Sequence, residues 1–572
     1  MFTIYPARTI HTMNRAHPTA SAIAVRDSRI LGIGPVGELA AWGEHVVDDR
    51  FADKVLLPGF IEAHSHVMTG GVWQFPYVGF FDRYGADGNL WPGCTNIDEV
   101  VERLIEIDGR MAAGETMVAW GLDPIYFDPA ERLLAHHLDR VSGTRPIFVY
   151  HASGHLATVN SALMEREGIT SDTTTPGVAR YESGGPGSGG PGSGGPGSGG
   201  PGSGLPNGEL QEPAAMSLAR DAFTMVRIAI NSAEAKWNYG YEARNAGNTT
   251  VVDLGTSNIT DDDLVAQWRS IVDDPEFPCR VMVAGSSGLG GPIDPADLAA
   301  AAVKLQPTSS EKLRFGLIKI ILDGSIQGFT ARISWPHYYK PPEGHSGNGL
   351  WLVPPDQMAD IVSMYHQAGL TVHCHCNGDE AAEVFIDAVE EAHRRHPRVD
   401  TRHTVQHCQL TTPAQYRRMA NMGMCANIFS NHMFYWGDQH RDVTVGPERA
   451  EQMDACATAE AAGVSFSIHS DAPVTPLGPL HVAWCAVNRL TSTGAVLGES
   501  ERISVDTALR AVTIEAAYQL KLDHDIGTLE AGKLADVVVL DDDPYEVAPE
   551  TLKDVPVWGT MVGGVVFPSD RG

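Results

Sequence analysis

The side chains best suited to hold a cation stand at the ends of apolar, strand-like runs, at four places along the chain. His64 and His66 close the stretch Pro58-Gly59-Phe60-Ile61-Glu62-Ala63-His64-Ser65-His66, after the run Val55 to Ile61. Residues i and i+2 of a strand point to one face, so both imidazoles can reach one ion from a strand end. His375 lies in His373-Cys374-His375-Cys376-Asn377-Gly378-Asp379, just before an Asn-Gly turn. His407 ends Val405-Gln406-His407-Cys408, and Asp471 ends Ser467-Ile468-His469-Ser470-Asp471-Ala472-Pro473. Imidazole nitrogen and carboxylate oxygen together suit zinc and related divalent ions. With 23 His in the chain, chance pairs occur, and taken singly each of these residues is more often a hydrogen-bonded structural residue than a ligand. Their recurrence at successive strand ends favours one shared site.

Lys319 is the sixth candidate, in Phe315-Gly316-Leu317-Ile318-Lys319-Ile320-Ile321-Leu322-Asp323-Gly324-Ser325. A lysine inside an apolar strand is costly unless paired or neutral. Burial lowers its pKa and frees the amine as a nucleophile. Such an amine can add carbon dioxide to form a carbamate, an anionic oxygen ligand able to bridge two cations. The simpler alternative is a salt bridge, for instance to Asp323.

The elements that must position these residues follow from the pattern of apolar runs. Val55 to Ile61, Thr249 to Leu254, Arg280 to Val283, Phe315 to Leu322, Leu370 to His373, His403 to Val405, Met424 to Ile428 and Val464 to Ile468 each precede a helix-like segment. Runs buried on both faces are expected of parallel strands covered by helices, and eight of them match a closed barrel. Both chain ends are strand-rich: Ala22 to Val25, Arg29 to Ile33, Ala535 to Leu540 and Val557 to Val566. They predict one β domain built from the two termini. The long interval after the first run has its own strands, Thr116 to Trp120 and Pro146 to Tyr150, and reads as an inserted subdomain. Within it, Ser183 to Gly204 repeats GGPGS four times. Gly and Ser resist ordering and Pro blocks ladder pairing, so this stretch predicts a flexible linker without chemistry. It reads the same whether it arose by repeat expansion or by replacement of a loop.

Composition narrows the partners. A net charge of -30 repels phosphate backbones and argues against nucleic acid. None of the eight Cys forms a CxxC pair, so buried reduced thiols, suited to a reducing cytosol, are favoured over a disulfide framework. The first residues lack a signal-peptide core, and no run is long enough to span a bilayer. The expectation is a soluble cytoplasmic protein acting on a small molecule without a membrane, with a homo-oligomer left open.

The segments PGFIEAHSH, KIILDGS, HCNGDEA, VQHCQ, HSDAPV and, near the end, GTLEAGKLADVVVLDDDP resemble the amidohydrolase superfamily. Within it the chain is most similar to amidohydrolase family 3, which includes N-substituted formamide deformylases. The resemblance implies an α/β fold: a distorted TIM (β/α)8 barrel, a β-sandwich from both termini and an α+β subdomain inserted after the first barrel strand. The corresponding boundaries are 1–54 with 525–572 for the sandwich, 55–70 with 230–524 for the barrel, and 71–229 for the insertion. It also implies a centre of one or two divalent ions, usually zinc. His64, His66 and Asp471 would hold one ion and His375 and His407 the second, bridged by a carbamate on Lys319. Two departures from the family pattern concern the substrate: Ile326-Gln327-Gly328-Phe329-Thr330 replaces a turn that often carries Arg, and His469 stands where a smaller residue is common.

The implied chemistry is attack of activated water on a carbonyl carbon. Asp471 is the expected proton carrier and His155 the expected partner of the tetrahedral oxyanion, with Asp379 orienting a ligand histidine from behind. Trp73, Phe329 and Phe429 are the expected substrate contacts, favouring an apolar or aromatic group on an N-substituted amide. Hydrolysis of a carbamate, lactone, cyclic imide or ring amine is the nearest alternative. A non-catalytic metal-binding scaffold is a further one.

Overall fold

Apolar and β-branched runs of two to ten residues give the chain many short strands, and long-range pairing sorts them into sheets. The computed structural model describes residues 1–571 apart from 128–131, 153, 155, 182–203, 287–292 and 342–347. The expected GGPGS linker, apart from Gly204, and His155 lie outside the described residues. The chain divides into two compact units, one of 1–67, 240–340 and 348–572, the other of 68–239 and 341–347.

The first unit contains a sheet made from both termini and a barrel. The terminal sheet joins Phe2–His11, Thr19–Arg26, Arg29–Gly34, His45–Val47 and Val55–Pro58 to Val537–Leu540, Val557–Val562 and Val565–Pro568. Its period-two pattern buries Tyr5, Ile23, Val25 and Val539 in one apolar cluster and Ile4, Ala22 and Ala24 in another. Arg280, at the start of a barrel strand, is held by Asp536 through two buried hydrogen bonds of 2.6 and 2.9 Å.

The barrel strands are β1 (Phe60–Ser65), β2 (Asn248–Asp253), β3 (Arg280–Ser286), β4 (Leu313–Ile321), β5 (Thr371–Cys376), β6 (Thr404–His407), β7 (Cys425–Ile428) and β8 (Ser465–Ile468). Each pairs in parallel with the next in sequence, so the sheet runs from β1 to β8 in chain order. Helices such as Asp379–Arg395 and Pro413–Asn421 link successive strands, as parallel neighbours require.

One predicted run divides. Val55–Pro58 belongs to the terminal sheet, between Phe2–His11 and Val537–Leu540, and the barrel strand begins only at Phe60. Gly59 makes the crossing. A Cβ there would fall about 2.1 Å from the Thr249 hydroxyl, so the two backbones can approach this closely only at glycine. A continuous apolar run carries no mark of the change of sheet, because both halves are buried.

The second unit has a five-stranded sheet in the order Val178–Arg180, Pro206–Gln211, Leu156–Val159, Ile147–His151, Met117–Leu122. One of its cores gathers Tyr77, Trp120, Phe148 and Tyr150, with Trp73 and Phe75 packed against it. All eight cysteines of the chain are buried and none is in a disulfide. Among the described residues no helix is long and apolar enough to cross a membrane.

Candidate metal centre

The barrel seam brings the first and last ligand candidates together. β1 and β8 meet just beyond their ends: His66 N donates to Ala472 O at 2.8 Å and Asp471 N donates to His64 O at 3.1 Å. Glu62, two residues before His64 and on its face of the strand, clamps the seam from inside. Its carboxylate accepts from His64 N at 3.2 Å and from the Ser470 hydroxyl at 2.6 Å. Burial pushes this carboxyl up to about 8. The residues bearing His64, His66 and Asp471 are thus fixed by the hydrogen bonds that close the barrel.

The side chains converge accordingly. His64 Nε2 and His66 Nε2 lie 3.3 and 3.2 Å from Asp471 Oδ1. These three residues form one group whose ligand atoms lie within 4.8 Å of one another, and His64, His407 and His469 form a second. Lys319 Nζ is 3.1 Å from His64 Nε2. His375 stands edge-on to His407, with ring centres 4.4 Å apart. Its Nε2 lies 3.2 Å from Gly324 O and 3.6 Å from Asp323 Oδ1, so it borders the cluster and belongs to neither triad.

Two of these residues depart from regular strand geometry. His407 has φ +73° and Asp471 φ +54°, the left-handed region that side chains seldom occupy. Such conformations cost about 1–3 kcal/mol and persist where the surroundings impose them. At His407 the turn has a visible effect. Gln406 and His407 are adjacent, so strand alternation would send them to opposite faces, yet Gln406 reaches His64 while His407 packs on the His64 ring at 4.6 Å.

Electrostatics prepare these groups to bind a cation. Burial, with Lys319 nearby, holds His64 and His407 well below the ordinary histidine pKa, and burial holds His469 down to about 3. All three are neutral imidazoles at physiological pH. Burial alone would raise the Asp471 carboxyl, but His66, His469 and Lys319 together keep it below its ordinary value. Burial lowers Lys319 to about 8, which leaves roughly one amine in ten uncharged near pH 7.

A divalent ion fits this donor set. Both ring nitrogens of His407, both of His469 and Asp471 Oδ1 are buried without a hydrogen-bond partner. Each such atom costs about 1–3 kcal/mol if left unmade, and an ion facing one nitrogen of each ring and the carboxylate would relieve part of that cost. Nitrogen and carboxylate donors together match the zinc-like class of ions.

The other sequence candidates divide between the cluster and its surroundings. Phe429 lies at the centre, stacked on His469 at 4.8 Å and 5.9 Å from His407. Phe329 is buried against Tyr338 in a neighbouring apolar cluster. Trp73 packs on Trp120 in the second unit, with Arg83 over its ring. Asp323 does not serve as the salt-bridge partner considered for Lys319. Its carboxylate accepts from the backbone of Arg332, Asn377 and Gly378, tying together the turns after β4 and β5. Burial pushes it up to about 7. Asp379, expected behind a ligand histidine, instead accepts from Ser334 N and faces Arg449. The carboxylate beside His375 is Asp323.

Sequence reasoning missed His469 and Glu62 as members of the site. Both carried a usable signal, since each stands two residues before a ligand candidate. Gln406 carried none, because its partners come from other strands.

The family model described as the amidohydrolase family matches residues 52–568. The N-substituted formamide deformylase of Arthrobacter pascens is 25% identical, covering 97% of this chain and 96% of that protein. Protein LONG AFTER FAR-RED 3 of Arabidopsis thaliana is 28% identical over 97% of this chain and 90% of its own length. An uncharacterized metal-dependent hydrolase from Pyrococcus horikoshii superposes with a TM-score of 0.68 at 19% identity, over 96% of this chain and 99% of its own, and so shares the fold. With its parallel eight-stranded barrel, its cluster of histidines and aspartate, and a family match over most of its length, this chain belongs to the amidohydrolase family of metal-dependent hydrolases.

Proposed function

We propose that this chain hydrolyses the C–N bond of a small N-substituted amide carrying an apolar or aromatic group. One observation carries the reading: buried, unpartnered imidazole and carboxylate atoms converge at the carboxyl ends of the barrel strands, the end where such barrels bear their active sites. His64, His66 and Asp471 would hold one ion, and His375 and His407 a second. Lys319, as a carbamate, would bridge them. Zinc is the ion that best matches these donors.

A bound divalent ion supplies Lewis acidity, which lowers the pKa of water and polarises a carbonyl oxygen. Asp471, ionised and beside His66, takes the proton of the attacking water and delivers it to the leaving nitrogen. Glu62 and the seam hydrogen bonds hold that carboxylate in place during the transfer. His155 is assigned to the oxyanion. Phe429 offers an apolar surface beside His469 and His407, which supports the preference for an apolar substituent. The 25% identity to a formamide deformylase supports an amide over an ester.

The test is incubation of zinc-loaded protein with a library of amides, carbamates, lactones, cyclic imides and ring amines, with products read by mass spectrometry. Release of an amine from aromatic N-substituted amides is the expected result. Preferential turnover of small charged amides, or of the non-amide classes, overturns the substrate assignment.

A further inference from the structure

Behind the candidate ligands a second polar system crosses the barrel interior. Gln406, fully buried on β6, occupies its centre. Its Oε1 lies 2.7 Å from His64 Nδ1 and 2.9 Å from Asn427 Nδ2, and its Nε2 lies 2.7 Å from His373 Nδ1. Asn427 Oδ1 in turn accepts from the Ser467 hydroxyl at 2.8 Å, and that hydroxyl is 2.7 Å from the Gln519 side-chain amide. The connection therefore joins β1, β5, β6, β7 and β8 to the helix Ile514–Gln519.

Every link in such a chain has a direction, because an amide offers an oxygen on one side and N–H groups on the other. Two directions are self-consistent. In one, Gln406 Oε1 faces His64, which must then carry its proton on Nδ1. In the other, all the amides are reversed, Gln406 Nε2 donates to His64 Nδ1, and the His64 proton moves to Nε2. The cup distinguishes them. His64 Nε2 faces both Lys319 Nζ at 3.1 Å and Asp471 Oδ1 at 3.3 Å, among the grouped ligand atoms. A nitrogen that binds an ion must present a lone pair, so the proton is on Nδ1 and Gln406 must accept it. Gln519 agrees with this direction: its Nε2 is otherwise buried without a partner, and turning it toward Ser467 gives it one while freeing the single hydroxyl hydrogen for Asn427.

We propose that Gln406 is a positioning residue that holds His64 in the Nδ1–H tautomer, with its Nε2 lone pair directed into the metal-binding cup, and that Asn427, Ser467 and Gln519 lock the Gln406 amide in that orientation. The inference rests on the reading of the cup as a metal site. A histidine whose tautomer is already set loses nothing to tautomer exchange when it binds an ion, and partners of this kind typically change metal affinity about 10- to 100-fold.

The test compares two substitutions and one spectrum. Zinc affinity is measured by chelator competition for the wild type, Gln406→Leu and Gln406→Glu. Leucine removes the acceptor for His64. Glutamate keeps that acceptor and loses only the donor to His373. Zinc binding is expected to weaken about 10- to 100-fold in Gln406→Leu and to stay within about threefold of wild type in Gln406→Glu. Equal losses in both variants, or none in Gln406→Leu, overturn the proposal. Histidine-selective 15N spectra of the metal-free wild type, with His64 assigned by its absence in His64→Gln, read the tautomer without altering Gln406. A proton on Nε2 overturns the proposal even if zinc binds, and a proton on Nδ1 supports it. A wild type that binds no zinc instead refutes the metal reading, and the tautomer still decides the role of Gln406.

Discussion

The two ends of β6 each carry a buried histidine, and the two differ in one respect. His403, just before the strand, is fully committed: its Nδ1 accepts from Val372 N at 3.0 Å and its Nε2 meets His366 Nδ1 at 3.0 Å. His366 passes its remaining proton to His396 O at 2.6 Å. Each ring nitrogen of this pair is used once, in a single consistent set of tautomers. His407, at the other end, has neither nitrogen paired. Both residues are buried, and burial keeps both neutral. Hydrogen-bond saturation, rather than residue type or burial, separates a histidine that braces the fold from one available to an ion.

The comparison can be broken in several ways, the largest effect first. Replacing Asp471 by Asn keeps the shape and removes the proton carrier, and kcat on the best amide should fall about 10²- to 10⁴-fold. An Asp471→Asn variant with wild-type turnover would remove Asp471 from the chemistry. His407→Ala should weaken metal binding at least about 10-fold while changing the melting temperature of the metal-free protein little, because no protein hydrogen bond is lost. His403→Ala should do the reverse. It strands Val372 N and His366 Nδ1, each at a cost of about 1–3 kcal/mol, and should lower the melting temperature with metal content per folded chain unchanged. If His403→Ala loses metal and His407→Ala loses stability, saturation is the wrong criterion.

The smallest effect is on pH dependence. Burial holds the His403 pKa well below its ordinary value, so in acid the unfolded chain binds a proton that the folded chain does not. Its stabilising contribution is complete above the unfolded value of about 6.5 and declines as pH falls toward the folded value, by about 1.4 kcal/mol for each pH unit in between. Urea titrations at pH 7.5 and 5.5 should show a smaller acid loss in His403→Asn than in the wild type. An identical loss would mean that His403 titrates normally in the folded protein.

Much of the site was legible because metal ligands at strand ends leave local marks. An imidazole pair at i and i+2, a histidine before Asn377-Gly378 and an aspartate before Ala472-Pro473 each follow an apolar run, and the spacing survives in one dimension. Lys319 was legible through its cost, as a charge within an apolar strand. His469 bears on the substrate in the sequence reading, although it stands two residues before Asp471 and packs on His64. Gln406 was invisible because strand alternation assigns only one of two neighbours to the interior, and the left-handed turn at His407 lets both residues face inward. The division of the run Val55 to Ile61 between two sheets was hidden for a related reason, since an apolar residue is equally buried in either.

From residue order alone came the family pattern, the count of barrel strands and the residue types able to bind a cation, all of which depend on neighbours within a few positions. Which imidazoles are braced and which are free, which carboxylate stands beside His375, and which side chain faces the back of His64 were settled only by the tertiary structure. Those properties depend on hydrogen-bond partners supplied from far along the chain, such as Gln406 for His64 and Asp323 for His375, and local sequence carries no record of a partner that folding alone brings within reach.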